Sequence, residues 1–365
     1  MSFDTLNLAP SLLAGLSEKN YAVPTAIQSA AIPAILGGRD VWACAQTGSG
    51  KTAAYGLPIL QRLSEKRAAR DRTVRALIVS PTRELTAQIR ESIRSYARYL
   101  PTPVKVLTVF GGVSINPQLM ALRGGTDILI ATPGRLLDLV QPNAVSLDNV
   151  EIVVLDEADR LLELKFAEEL ERTLTLLPKR RQNLLFSATF PPDVHALATE
   201  ILREPVRIET TPTEVEMIER VIHVDAPRRT QLLRRLIEEH SWERALVFVA
   251  TKYATEHVAE KLRRAGINAA ALHGELSQGA RTKTLADFKA GKVRVIVATD
   301  LASRGIDIAQ LSAVVNYDLP RSVDDYVHRI GRTARAGAPG VAVSFVNVTS
   351  EAHFRVIEKR GGRLL

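Results

Sequence analysis

The chain has few of the features that mark secreted and membrane proteins. Cys44 is the only cysteine among 365 residues, so no intramolecular disulfide can form. No apolar run approaches the length of a membrane span, and the N-terminal stretch MSFDTLNLAP carries Asp4 and no basic residue. These absences exclude a disulfide-stabilised secreted scaffold, and they predict a cytoplasmic protein.

Acidic residues are fewer than basic ones. Lys and Arg number 48 against 40 Asp and Glu, which gives a formal net charge of +8 and a pI near 9.7. This balance favours a polyanionic partner such as nucleic acid. It is equally compatible with a bias of genome composition, so charge alone does not identify the partner.

The length and the pattern of apolar runs predict two α/β domains. A chain of 365 residues is too long for one ordinary core, since domains usually hold about 100 to 200 residues. Short apolar runs alternate with longer helical patterns, as parallel sheets require. The segment Glu209 to Glu219 is rich in Thr, Pro and acidic residues and predicts a short flexible linker. We therefore expect parallel-sheet domains at residues 1–208 and 220–365, joined by the linker 209–219.

Strand predictions follow from the apolar runs. In the first half they are Val41–Cys44, Ala76–Val79, Val104–Val109, Ile128–Ile130, Ile152–Leu155 and Leu184–Phe186. In the second half they are Val221–Val224, Ala245–Val249, Ala269–Leu272, Val293–Val297, Ala313–Val315 and Val341–Phe345. Several strand ends are similar between the halves, which favours an ancient duplication over the general likeness of α/β units.

Three short motifs of the first half together predict an ATP-hydrolysing site. AQTGSGKT runs from Ala45 to Thr52 between a strand pattern and a helix pattern, DEAD occupies Asp156 to Asp159, and SAT occupies Ser187 to Thr189. Backbone N–H groups of a Gly-rich loop cradle phosphates, a following Lys contacts them, and a hydroxyl with a carboxylate orients Mg²⁺. Alone, the first motif could be a Gly-rich turn, because Ala45 replaces the usual Gly, and DEAD could be a solvated helix start.

The full set of motifs resembles the DEAD-box family of ATP-dependent RNA helicases. YAVPTAIQ from Tyr21 resembles the adenine-recognition motif, and PTRELTAQ, GG and TPGR resemble RNA-contacting elements of a first domain. VFVAT, HGELSQGARTKTLADFKAG, ATDLASRGID and YVHRIGRTARAG complete the order in the second half. FGGVSINPQLMALRGG is similar to the RhlE-type branch. Thr86, Asn20 and Lys165 depart from the usual pattern without touching the expected chemistry.

The resemblance implies two tandem RecA-like domains, with ATP and Mg²⁺ as cofactors and RNA as the partner. RNA would be bound as a single strand or short duplex without regard to base sequence. The implied activity is an RNA-stimulated ATPase that clamps and locally unwinds short duplexes or remodels RNA–protein complexes. A clamp or scaffold without significant unwinding is the alternative, and a DNA-acting ATPase is a third.

Each implied site residue is assigned from its position in a motif that resembles one of the family. The implied catalytic residues are Glu157, Lys51, Arg329, Arg332, His328, Ser187 and Thr189. Glu157 would activate water, and the two arginines would act as arginine fingers, which stabilise the charge of the transition state. The implied nucleotide-binding residues are Tyr21, Gln28, Ala45, Gln46, Thr47, Gly48, Ser49, Gly50, Lys51, Thr52, Gly305 and Asp307, with Thr52 and Asp156 binding the metal. The implied RNA contacts are Thr82, Arg83, Gly112, Thr132, Arg135, Thr251, Arg281, Thr299 and Arg304.

Two of these motifs keep a structural alternative. The stretch HRIGRTAR, taken alone, could be a basic helix face that contacts solvent or RNA phosphate. His273 is expected to shape the turn before Gly274 rather than to bind a metal, because no second ligand stands at a suitable spacing.

Overall fold

A computed structural model describes residues 2–46, 48–65, 73–162, 166–210, 217–300, 311–333 and 340–360. Thr47, Arg304, Gly305, Asp307 and most of the predicted linker lie outside these residues. The chain divides into two compact units, Met1–Pro212 and Thr213–Leu365. Within the described ranges, no helix combines the length and the apolar character that a bilayer crossing needs.

The first unit is a seven-stranded parallel sheet with helices between its strands. The strand order is β3-β4-β2-β5-β6-β1-β7. Its strands are β1 Val41–Cys44, β2 Ala76–Val79, β3 Val106–Val109, β4 Ile128–Ala131, β5 Ile152–Asp156, β6 Gln182–Ser187 and β7 Val206–Glu209. Its helices are α1 Pro10–Glu18, α2 Ala26–Leu36, α3 Lys51–Glu65, α4 Arg83–Ala97, α5 Asn116–Leu122, α6 Pro133–Val140, α7 Ala158–Leu161, α8 Ala167–Thr175 and α9 Pro192–Ile201.

The central strands are apolar on both faces because helices cover both sides of the sheet. Along β2, Ala76 and Ile78 belong to one hydrophobic core, while Leu77 and Val79 belong to the core on the opposite face. This alternation is the period of two that a β-strand imposes on its side chains. Continuous apolar runs therefore predict such strands well.

The second unit is a six-stranded parallel sheet in the order β10-β11-β9-β12-β13-β8. Its strands are β8 Met217–His223, β9 Ala245–Phe248, β10 Ala269–Leu272, β11 Val295–Ala298, β12 Ala313–Asn316 and β13 Gly340–Val346. Its described helices are α10 Arg229–Glu239, α11 Lys252–Arg264, α12 Gln278–Lys289, α13 Val323–Ile330 and α14 Glu351–Arg360. Parallel α/β architecture in both units confirms the predicted fold class.

The two outer strands differ from the sequence-based prediction. The strand β7 is not among the predicted strands, and β8 begins four residues before the predicted start at Val221. Both lie at a sheet edge, and apart from the buried Ile208 their side chains are exposed or half-buried, so neither presents a long apolar run. As a result, Glu209 and the segment Met217 to Glu219 of the predicted linker are paired in sheets. The boundaries at 208 and 220 stay predictions.

Asp40 should be important for the stability of the first unit. Its two buried carboxylate oxygens accept hydrogen bonds from the backbone N–H groups of Asn183 and Arg203, both at 2.8 Å. We expect Asp40→Ala to lower the free energy of unfolding by about 2 to 4 kcal/mol, because the buried N–H of Asn183 and the partly buried N–H of Arg203 lose their acceptor. Urea unfolding measures this, with Asp148→Ala as the control, since Asp148 is exposed. Equal stability of the two variants would contradict the assignment.

Candidate active site

The predicted ATP-site motifs meet at one edge of the first sheet. Asp156 is the last residue of β5, Ser187 is the last residue of β6, and Ala45 directly follows β1. These three strands are neighbours in the sheet, and the Ala45 N–H donates to the Ser187 carbonyl at 3.0 Å. Carboxyl ends of adjacent parallel strands are where open α/β sheets bind ligands.

The Gly-rich loop is closely fitted around Gly50 and Lys51. Lys51 begins α3, is buried, and donates from Nζ to the Ala45 carbonyl at 3.0 Å. Gly50 has a φ of +93°, and a Cβ there would overlap Nε2 of Gln28. That amide nitrogen donates to the Gly50 carbonyl at 3.3 Å, while Oε1 of Gln28 accepts from the Thr25 N–H at 3.0 Å. The predicted adenine-recognition residue is thus tied to the predicted phosphate loop.

An open cleft of about 440 Å³ is formed by residues near the N-terminus, before α2. Phe3 and Tyr21 line it together with Leu13, Leu16 and Asn20. Tyr21 is half exposed, so one side of its ring is accessible. The volume lies in the range of small-molecule sites, and an exposed aromatic ring can stack on a base.

The Asp156 carboxylate is buried and held at both oxygens. Oδ1 accepts from the Glu157 N–H at 3.0 Å, and Oδ2 accepts from the Tyr55 hydroxyl at 2.8 Å. Burial raises the pKa of Asp156; the positive charge of Lys51 acts in the opposite direction, and Glu157 adds to the increase. The carboxylate is therefore fixed in place in an environment that favours a cationic partner.

Glu157 follows Asp156 in a left-handed backbone conformation, with φ +53° and ψ 55°. Positive φ is uncommon for a residue with a side chain, and such strain is typical of functional positions. The side chain is buried, and its Oε2 lies 3.5 Å from Nη1 of Arg160. The Glu157 side chain is thus shielded from bulk solvent, directly after Asp156 in the chain.

The SAT motif binds Asp159 of the DEAD segment. The Ser187 hydroxyl accepts from the Asp159 N–H at 3.2 Å. The Thr189 N–H and hydroxyl donate to Oδ2 of Asp159 at 3.2 and 3.0 Å. These contacts link the DEAD segment after β5 to the end of β6.

The residues of this edge fit a Mg²⁺–nucleotide. Thr52 and Asp156 offer the hard oxygen ligands that Mg²⁺ prefers, and Lys51 supplies a positive charge. Among the described residues, no group of three or more His, Cys, Asp or Glu side chains could hold a metal ion. Mg²⁺ is usually held by one or two protein ligands together with water and phosphate oxygens, so Thr52 and Asp156 would suffice as protein ligands.

The predicted RNA-contacting residues of the first unit surround the loop after β3. Arg83 donates from Nη1 to the Gly112 carbonyl at 3.4 Å, and Arg135 donates from Nη2 to the Val113 carbonyl at 2.9 Å. The Gly111 N–H donates to the Thr132 hydroxyl at 3.4 Å. Gly112 has a φ of +74°, and a Cβ there would overlap Nη1 of Arg83.

Strand order explains this cluster. Thr82 caps α4 after β2 by accepting from the Leu85 N–H at 3.2 Å, and Thr132 follows β4. The strands β3, β4 and β2 are neighbours, so their following loops share one half of the sheet edge. The loops after β5, β6 and β1 share the other half.

The predicted RNA residues of the second unit also follow its strands. Thr251 caps α11 after β9 by accepting from the Ala254 N–H at 3.1 Å. Thr299 follows the adjacent β11, and its N–H donates to the Leu272 carbonyl at 3.3 Å. Arg281 is buried on α12. His273 lies 3.0 Å from Glu256 at the turn after β10, in agreement with a structural role.

Arg329 has partners that argue against its predicted role as a finger. It forms two hydrogen bonds with the Asp300 carboxylate, at 2.5 and 2.7 Å. Its Nη1 donates to the Asp318 carbonyl at 2.7 Å and to Oδ1 of Asn316 at 3.1 Å, and the guanidinium lies over the Phe248 ring. A phosphate would have to displace Asp300, so we revise this assignment to a structural tie within the second unit.

The neighbouring predicted residues lie at the end of the same helix. His328 belongs to the last turn of α13 and is half-buried. Arg332 is buried in the turn that follows, where its N–H donates to the Arg329 carbonyl at 3.1 Å. The finger role stays a prediction for Arg332.

Some contacts of the site were missed by the sequence-based prediction. Tyr55 binds Asp156, Arg160 faces Glu157, and Asp300 binds Arg329. Helical spacing signals only the second, since Arg160 stands three residues after Glu157; Tyr55 and Asp156 are far apart in the sequence. Asp300 belongs to the motif ATDLASRGID, but the sequence analysis assigns no role to it.

Comparison with known proteins decides the family. A family profile described as "DEAD/DEAH box helicase" matches residues 25–197, and one described as "Helicase conserved C-terminal domain" matches residues 228–337. The chain is 42% identical to the ATP-dependent RNA helicase RhlB of Pseudomonas syringae, over 99% of this chain and 93% of that protein. The chain belongs to the DEAD-box helicase family.

Other relatives agree with this assignment. The chain is 39% identical to the ATP-dependent RNA helicase DeaD of Mycobacterium tuberculosis over 98% of its own length, and it spans 63% of that relative's length. The structure of S. cerevisiae Dbp5 bound to RNA and ADP BeF3 matches with a TM-score of 0.87 and 31% identity, over 100% of this chain and 94% of the other. Tandem RecA-like domains are thereby confirmed. The RhlE-type branch stays a prediction.

Gly50 should be required for nucleotide binding by this DEAD-box protein. We expect Gly50→Ala to weaken binding of a fluorescent ADP analogue at least tenfold, because the added methyl group displaces Gln28 and strains the loop. Gly38→Ala is the matched control, since Gly38 also has a positive φ (+77°) but no atom near the added methyl group. Equal affinities of the two variants would show that the Gln28 contact is unimportant.

Proposed function

We propose that this protein is an RNA-stimulated ATPase that clamps and locally unwinds short RNA duplexes or remodels RNA–protein complexes. The meeting of the Gly-rich loop, Asp156 and Glu157 at one sheet edge is the observation that carries the proposal. The domains would comprise residues 1–208 and 220–365. A single, half-buried cysteine supports a cytoplasmic location.

The first unit would bind the nucleotide. Tyr21 stacks on adenine, and Gln28 reads its edge while holding the phosphate loop through Gly50. The N–H groups of the loop and Lys51 bind phosphate oxygens. Thr52 and Asp156 hold Mg²⁺, which neutralises charge that develops on the phosphate oxygens during transfer.

Hydrolysis would use residues of both units. Glu157 orients a water molecule and accepts its proton, and burial strengthens that interaction because it excludes competing solvent. Arg332 stabilises charge in the transition state, with Gly305 and Asp307 binding the nucleotide from the same unit. Asp159, held by Ser187 and Thr189, lies on the same segment as Glu157 and gives a route by which RNA affects hydrolysis.

RNA would be bound at the other half of the sheet edge through sugar and phosphate. Thr82, Arg83, Gly112 and the neighbouring Thr132 and Arg135 form a polar surface around one loop. Such contacts carry no base sequence, so recognition would depend on the backbone and the 2′-hydroxyl. The structure of Dbp5 bound to RNA supports this partner.

The central test compares ATP hydrolysis without polymer, with single-stranded RNA and with DNA of equal length, beside displacement of a short RNA duplex. We expect hydrolysis to rise with RNA alone and displacement to require ATP. Stimulation without displacement would favour the clamp over the helicase. Equal stimulation by DNA would remove RNA selectivity from the proposal.

Glu157→Gln should separate nucleotide binding from hydrolysis. We expect kcat to fall by a factor of about 10² to 10⁴, the usual contribution of a general base, while ATP and RNA still bind. Glu171→Gln is the control, because Glu171 is exposed on α8. Normal turnover by Glu157→Gln would remove Glu157 from its assigned role.

Arg329 and Arg332 should respond differently to substitution. We expect Arg332→Ala to lower RNA-stimulated kcat by roughly 10³ to 10⁵, as loss of an arginine finger does. Arg329→Ala should mainly destabilise the second unit, by about 2 to 3 kcal/mol; its partner Asp300 is 31% exposed, so the loss is smaller than for a fully buried pair. Melting temperatures and turnover rates of both variants make the comparison. A stable, inactive Arg329→Ala would restore the finger role to Arg329.

A further inference from the structure

We propose that Tyr55 is a positioning residue that ties the carboxylate of Asp156 to α3, the helix that carries Thr52, and so prepares the Mg²⁺ site formed by these two residues. The inference rests on the proposed function, because it assigns these two residues to the metal. It concerns a side chain that none of the recognised motifs includes.

The Tyr55 hydroxyl contacts the predicted metal-binding carboxylate. It donates to Oδ2 of Asp156 at 2.8 Å. Thr52 and Tyr55 stand three residues apart on α3, so they share one face of the helix. Asp156 comes from β5, more than a hundred residues later in the chain. One phenol therefore connects the helix after the phosphate loop to the strand that carries the metal-binding carboxylate.

The ring of Tyr55 is fixed by packing. Its side chain is fully buried, and its ring centroid lies 5.3 Å from that of Phe186 on β6. A tyrosine phenol is neutral at physiological pH, so the hydroxyl keeps the proton that it donates to Asp156.

The hydroxyl is more than a means of filling space. A phenylalanine would fill the same volume and keep the contact with Phe186, so packing does not require the oxygen. With Oδ2 bound to Tyr55 and Oδ1 to the Glu157 N–H, the carboxylate plane is set before a metal arrives. Mg²⁺ demands near-ideal octahedral geometry, and partners that orient a ligand are typically worth about 10- to 100-fold in metal affinity.

The experiment is a magnesium titration of nucleotide binding by Tyr55→Phe in the full chain. A fluorescent ADP analogue reports binding at fixed concentration, first in EDTA and then at increasing Mg²⁺. The matched control is Tyr317→Phe, which also removes a hydrogen-bonded phenol hydroxyl, at 2.9 Å from the Thr230 hydroxyl, in the second unit. Melting temperature and near-ultraviolet circular dichroism check the fold of each variant.

We expect the Mg²⁺ midpoint to rise roughly tenfold in Tyr55→Phe, with unchanged affinity in EDTA, and to stay at the wild-type value in Tyr317→Phe. Tyr55→Leu, which also lacks the hydroxyl, must shift the midpoint in the same direction. An unchanged midpoint in Tyr55→Phe, or an equal loss of affinity with and without Mg²⁺, would overturn the proposal. Because wild-type RNA stimulation is measured separately, this failure is distinguishable from a failure of the proposed function.

Discussion

The position of each functional residue depends on one constraint, the alignment of parallel strands in the two sheets. Parallel strands place all their carboxyl ends at one edge, so residues far apart in sequence meet there. In the first unit, β5, β6 and β1 bring together Asp156, Ser187 and the loop after Cys44, while β3, β4 and β2 bring together Gly112, Thr132 and Thr82. One sheet edge thus carries two adjacent groups of side chains with different chemistry.

Much of this arrangement could be predicted from the sequence because its causes are local. A central strand covered on both faces must be an unbroken apolar run, and such runs identify β1, β2 and β5 with nearly correct bounds. Loops that approach phosphates need backbone donors and glycine, so AQTGSGKT predicts a phosphate-binding loop without knowledge of the fold. A threonine after a strand caps the next helix in both units, at Thr82 and Thr251.

The remaining features depend on contacts that no local pattern reveals. An edge strand such as β7 is half solvated, so its residues resemble a loop in composition. The basic motif that contains Arg329 is equally compatible with an arginine finger and with a structural residue. Only the hydrogen bonds of Arg329 with Asp300, Asn316 and Asp318 distinguish the two roles. A recognised motif thus locates a residue more reliably than it defines what its side chain binds.

The pair of Asp156 and Tyr55 shows why such contacts collect at the site rather than in the rest of the core. A buried carboxylate is costly unless it is neutralised or well bonded, and burial does raise the pKa of Asp156. Lys51, Tyr55 and the Glu157 N–H offset part of that cost. On the proposed function, a bound Mg²⁺–nucleotide would relieve the remainder and so stabilise the first unit by mass action. The electrostatic cost of the buried carboxylate in the free protein would then become selectivity for the metal-bound nucleotide.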